Sequence, residues 1–135
     1  QTYLALFAAL PIAVRTPNRV FLCHTLPDSR YLDSLDLDLL TADTWPQEAT
    51  SRGGTIYALT WGRDTAPETA DRFAEMIDAD WFITGHQPCQ EGIRLANHRM
   101  IILDGTPPFP GYCIFPTNEP VSIESLFERA KVIEV

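Results

Sequence analysis

Cysteine is scarce in this chain of 135 residues: Cys23, Cys89 and Cys113 stand far apart and form no C-x-x-C pair. An odd, scattered set argues against a disulfide scaffold and predicts reduced, buried thiols, hence a cytoplasmic setting. Long apolar runs are also missing. The longest, Leu4 to Leu10, falls far short of the ~20 residues a membrane helix needs, so no membrane span is expected. The chain opens on Gln1 without an initiator Met or a basic-then-apolar leader, and no signal peptide is read in it. Positive charge is in short supply: ten Lys and Arg face eighteen Asp and Glu, a formal net charge of -8. An average field of that sign repels nucleic-acid backbones and anionic membranes, yet a local basic pocket still holds an anion. No internal repeat or low-complexity tract is present.

What remains is ordinary globular material, 45% hydrophobic and 21% charged over 15.2 kDa, enough for one domain with a real core. Thr2 to Leu10 reads as a helix ended by Pro11. Two β-type runs, Pro11 to Thr16 and Arg19 to His24, flank Pro17-Asn18 and predict a hairpin. Leu32 to Leu40 fits a short helix, although its Leu/Asp alternation fits a strand as well. Thr41 to Gly54 reads as a loop and Thr55 to Trp61 as β-like. Thr65-Ala-Pro-Glu68 predicts a helix start with Thr65 as cap, followed by an apolar stripe of Ala70, Phe73, Met76 and Ile77 that ends near Ala79. Trp81 to Thr84 predicts a buried strand. A hairpin of Gly92 to Ala96 and Arg99 to Leu103 follows, with Asn97-His98 at its tip. Thr106 to Gly111 reads as an irregular loop and Tyr112 to Pro116 as a strand. Ser122 caps a helix from Ile123 to Ala130, and Val132 to Val135 is expected as a last strand. The mixture predicts an α/β layered sandwich with a mixed sheet.

Three histidines are present. His24 ends the apolar run Val20-Phe-Leu-Cys-His24, and His86 ends Trp81-Phe-Ile-Thr-Gly85-His86-Gln-Pro88. In α/β proteins ligands gather where strands end and loops begin, and imidazole is the commonest metal-ligand side chain. By pattern alone such a residue is more often simply hydrogen-bonded at the rim of a core. His98 reads as a solvated turn residue. The Asp-rich stretch from Asp28 to Asp43 lacks a calcium-loop pattern and reads as a solvated face. Trp45, Trp61 and Trp81 read as core rather than a base-stacking platform. Strand alternation sends Cys23 and His24 to opposite faces, which argues against a Cys-His dyad.

These residues carry a resemblance. Leu10-Pro11, Val20-Phe-Leu-Cys-His24, Leu59-Thr-Trp61-Gly-Arg63-Asp64 and Trp81-Phe-Ile-Thr-Gly85-His86-Gln-Pro88 with Glu91-Gly92 follow in an order that resembles the C-terminal half of calcineurin-like metallophosphoesterases. The serine/threonine phosphoprotein phosphatase branch is the nearest in flavour. The resemblance runs from Leu10 to Gly105. It implies a portion of a layered α/β/β/α sandwich with mixed sheets. It also implies that His24 and His86 ligate a centre of two divalent or trivalent metal ions, manganese, iron or zinc, in the complete protein. Arg63 would hold the substrate phosphate as a guanidinium fork matched to phosphate oxygens; the other reading is a surface Arg paired with Asp64. The substrate implied is a phosphate ester, phosphoprotein or small molecule. The family's amino-terminal motifs, Asp-x-His, Gly-Asp-x-x-Asp and Gly-Asn-His-Asp/Glu, do not occur here, and Thr25 stands where a glycine is expected after His24. No catalytic residue is therefore assigned. The chain, residues 1 to 135, reads as a single domain or the C-terminal part of a larger phosphoesterase domain, inactive alone. A non-catalytic binding or regulatory module built on half of that fold is the alternative. An exposed sheet edge is expected to promote self-association.

Overall fold

The computed structural model describes residues 10 to 133. The segment from Thr2 to Ala9 and the end of the expected C-terminal strand lie outside the described residues. The first hairpin forms as expected. β1 (Ala13–Arg15) pairs antiparallel with β2 (Val20–Cys23), and the Thr16 and Arg19 amides close the turn, with Arg19 at φ 64°. Beyond β2 the chain crosses one face of the sheet. It makes two 3-10 turns, Ser29–Ser34 and Leu37–Leu40, in place of the helix read over Leu32 to Leu40. It continues through α1 (Gln47–Thr50), α2 (Thr55–Trp61) and α3 (Pro67–Ile77). β3 (Trp81–Thr84) then returns parallel to β2. The hairpin β4 (Ile93–Asn97) and β5 (Met100–Leu103) sets β5 parallel to β3. β6 (Gly111–Cys113) and β7 (Ala130–Val132) form a separate two-stranded sheet around α4 (Ile123–Arg129).

The five-stranded sheet runs β1-β2-β3-β5-β4, so the three parallel strands sit in the middle and the antiparallel ones at the edges. Strands covered on both faces read as continuous apolar runs rather than alternating ones, and VFLC, WFIT and MIIL do so. On one face Phe21, Phe82, Met100 and Ile102 pack against Leu59 of α2 and Ala70, Phe73 and Ala74 of α3. The rings of Phe21, Phe73 and Phe82 meet at centroid separations of 5.8–6.3 Å. On the other face Val20, Ile83 and Ile101 pack against Ile123 and Leu126 of α4.

Several local expectations change. Thr55 to Trp61 is a helix, not a strand. Its buried residues Thr55, Ile56, Ala58 and Leu59 recur at helical spacing, and this face outweighs the β-favouring Thr, Ile and Tyr. The loop read from Thr41 to Gly54 contains the single turn α1. Thr65 does not cap α3. The N-cap position is Ala66, and the Asp64 carboxylate accepts from the Ala66 amide and the Thr69 hydroxyl, both at 2.9 Å. Trp61 is 63% exposed, stacked on Tyr57 rather than buried in the core. Trp45 and Trp81 are half-buried, their indole N–H groups donating to the Leu39 and Val121 carbonyls. α4 carries the expected Ser122 cap, reciprocated by Ser125. The three thiols are free.

Candidate functional site

The site follows from the register of two neighbouring parallel strands. Cys23 lies opposite Thr84, so His24 and Gly85 leave the sheet side by side, and the Gly85 amide donates to the His24 carbonyl at 3.1 Å as a last rung. His86 comes one residue later, at φ 66°. The Gln87 amide donates back across it to the Gly85 carbonyl at 2.7 Å, the bond pattern of a classic γ-turn. Such strained backbone clusters at functional sites. The turn brings the His86 ring against His24, with centroids 4.3 Å apart at 53°. Two imidazoles separated by 62 positions in sequence thus share one place at the C-terminal edge of the sheet, exposed to solvent.

Arg63 reaches the same place from the segment between α2 and α3. Its guanidinium contacts His86 Nε2 and the Gly62 carbonyl, and its amide donates to Asp28 Oδ1 at 3.2 Å. It does not take Asp64 as a partner: that carboxylate accepts from the Ser29 and Ala66 amides and the Thr69 hydroxyl. The approach of Arg63 is built by two neighbours. Thr25 is fully buried, and both its hydroxyl and its amide donate to the Leu59 carbonyl, at 3.1 and 3.3 Å. Leu59 O is one of the last-turn carbonyls that a helix cannot satisfy internally. The threonine after His24 therefore ties the strand end to α2. At Gly62 a Cβ would stand 1.9 Å from the Leu26 carbonyl oxygen, so only glycine lets the helix end lie against that backbone.

The electrostatics fit a cation-rich cluster. Burial, then the charges of His86 and Arg63, hold the His24 pKa below the usual imidazole range. Burial pushes the Cys23 thiol up to about 12, and its Sγ donates to the Thr25 carbonyl, so it is no nucleophile at neutral pH. Asp104, at the end of β5, spends its oxygens on the Cys89 and Thr106 amides at 2.9 Å each. Sequence reasoning brought His24, His86 and Arg63 forward; it noted Thr25 only as a departure from an expected glycine and passed over Gly62, whose signal was its place before the Arg. His98 lies elsewhere, on Asp71 at 2.8 Å.

As a metal centre the cluster is partial. Its two imidazoles are good donors for zinc, iron or manganese. Among the described residues, however, no group of three or more His, Cys, Asp and Glu converges, and a catalytic zinc takes three protein ligands. The described residues of this chain do not by themselves fit a complete one-metal or two-metal centre.

No protein-family model matches the chain, and no curated protein matches it in sequence. In structure it is similar to a protein serine/threonine phosphatase from Saccharomyces cerevisiae that is described as having similarity to human phosphatase PP5. The TM-score is 0.67 and the identity 16%, over 96% of this chain and 48% of that one. The fold is thus a mixed α/β arrangement with a mixed sheet, similar to that of this phosphatase, as the sequence resemblance implied. The chain spans about half the length of the phosphatase it matches. No helix among the described residues is long and apolar enough to cross a membrane.

Proposed function

We propose that this chain is the C-terminal portion of a metal-dependent phosphoesterase, in which His24 and His86 are metal ligands and Arg63 holds the substrate phosphate. The observation that carries the reading is the meeting of His24, His86 and Arg63 at the ends of β2 and β3. A phosphatase-like fold around that meeting point supports it. Two donors are too few for a centre, so the reading requires the remaining ligands from beyond the described residues. Within this chain the division of labour is simple. The strands fix the imidazoles, the γ-turn aims His86, and Thr25 and Gly62 deliver a guanidinium suited to phosphate oxygens.

The test is aryl-phosphate hydrolysis by the full-length protein with added manganese. His86→Ala should lower kcat/KM by about two orders of magnitude or more, the usual cost of removing one key group. Unchanged activity in that variant overturns the assignment.

A further inference from the structure

The loop from Gly85 to Gly92 joins β3 to β4, and His86 stands near its start. A loop keeps its shape where its main-chain groups find partners. Two bonds close on the loop itself: the Gln87 amide donates to the Gly85 carbonyl at 2.7 Å, and the Gly92 amide to the Cys89 carbonyl at 3.0 Å. The Gly85 amide ties the loop's first residue to His24. Beyond that rung, among the described residues, the main chain of the loop is hydrogen-bonded to another element at one residue, Asp104. His86, at φ 66°, needs such support, because a side chain there is strained.

Asp104 follows β5, and its amide, its carbonyl and both carboxylate oxygens are all engaged. Oδ2 accepts from the Cys89 amide and Oδ1 from the Thr106 amide, at 2.9 Å each. Its amide donates to the Gly92 carbonyl at 2.8 Å, and its carbonyl accepts from Gly111, the first residue of β6, at 2.7 Å. One residue thus joins the end of the five-stranded sheet, the loop behind His86 and the start of the second sheet. Two glycines let the backbones close on this junction. A Cβ at Gly92 would stand 1.8 Å from the Phe109 carbonyl oxygen, and one at Gly111 2.2 Å from the Gly92 carbonyl oxygen. Hydrogen bonds from Thr106 and Cys89 hold the Asp104 carboxyl below the usual range. An asparagine could serve only one of the two amides through its side chain, because its NH2 group is a donor.

We propose that Asp104 is a positioning residue for His86: by holding Cys89 and Gly92 it fixes where the loop ends, and so keeps the γ-turn that aims the imidazole at His24. Asp104 bonds to neither ring and acts through Gln87, Pro88 and Cys89. Pro88 makes that path stiff, since its ring fixes φ and biases Gln87 towards extended backbone. A shift of the Cys89 amide is therefore passed on to Gln87 rather than absorbed. Arg94 of β4 steadies the same path from the side, donating to Gln87 Oε1 at 3.1 Å. The role given to Asp104 rests on the phosphoesterase reading for what His86 does, and on these hydrogen bonds alone for how His86 is held.

The experiment compares the full-length protein with its Asp104→Asn and Asp104→Glu variants, folding being verified by circular dichroism. Amide hydrogen exchange reads the loop directly. In Asp104→Asn the Cys89 amide should exchange about tenfold faster or more, as befits a lost hydrogen bond to a charged group, and Gln87 should follow it while Thr16 keeps its rate. Phenyl phosphate hydrolysis with manganese reads the consequence. There kcat should fall about tenfold to a hundredfold, the usual effect of losing a group that orients a metal ligand. KM should stay nearly unchanged, because Arg63 and its supports are untouched. Asp104→Glu retains both acceptors and should recover part of both effects; if the asparagine variant does not fold, the smaller changes in Asp104→Glu carry the test. A merely structural role would lower the urea midpoint and leave Gln87 exchange and kcat of the folded variant as they were, and either result overturns the inference. Hydrolysis that depends on His86 but not on Asp104 removes this inference and leaves the phosphoesterase reading standing. Absence of hydrolysis in the unaltered protein removes that reading, and the exchange rates still decide whether Asp104 holds the turn.

Discussion

A single carboxylate does unusual structural duty at Asp64. It joins the 3-10 turn at Ser29 to the start of α3 through the Ser29 and Ala66 amides and the Thr69 hydroxyl. Burial works to raise its pKa, but these hydrogen bonds to the ionised form outweigh it and hold the carboxyl below the usual range. A carboxyl depressed in the folded state contributes stability above its unfolded pKa and loses it as pH falls through the folded pKa. Asp64→Asn should therefore cost about 1–2 kcal/mol at neutral pH, the scale of hydrogen bonds to a charged group. The gap between the two proteins should narrow as pH falls below about 4. Urea unfolding at pH 7 and at pH 3 checks this, and a gap independent of pH would refute the role given to the charge. The same residue shows why capping was misread from sequence. Thr65 has a capping side chain, but Asp64 reaches both the first turn and a distant loop, and only the fold brings that loop near.

At the scale of elements, α2 links strand end to site. Its last turn is satisfied by Thr25, and its exit is squeezed against Leu26 at Gly62. Gly62→Ala would place a methyl group inside that backbone contact and should destabilise the protein by about 1–3 kcal/mol, the usual range for overpacking. It should also displace Arg63, so the phosphate affinity of the folded variant should fall along with its urea midpoint. A loss of stability with binding intact would separate the helix exit from the site. How much of this was legible depended on the range of the interaction. The β2 and β3 runs, the β4–β5 hairpin, α3 and the Ser122 cap were readable because apolar spacing and local caps are encoded within a few residues. So were the two strand-end histidines, because a buried strand must end in a polar residue where it meets solvent. α2 was misread because Thr55, Ile56 and Tyr57 favour strands by propensity. What makes it a helix is the face it buries against the sheet, which the local sequence does not announce. Trp61 was misplaced for the same reason: as the exposed end of that helix it stacks on Tyr57, whereas as a strand residue it would have been core.

Across the whole molecule, packing on both faces of one sheet leaves the chemistry at an edge. Phe21, Phe82 and Ile102 against α2 and α3, and Val20, Ile83 and Ile101 against α4, fix the central strands rigidly. The side chains that could act on a ligand lie just beyond, where the strands stop. That placement accounts for a likeness in fold to a phosphatase with which the chain shares 16% identity. The core can be rewritten with other apolar residues so long as the strands still end side by side.

The terminal rung between the His24 carbonyl and the Gly85 amide has one more consequence. Both imidazoles hang from the two halves of that bond, so fraying of the sheet there scatters them together. Whatever bridges the rings must oppose the fraying. The Gly85 amide should accordingly exchange its hydrogen for deuterium more slowly in the full-length protein when manganese is bound, while the Thr16 amide at the opposite end of β2 keeps its rate.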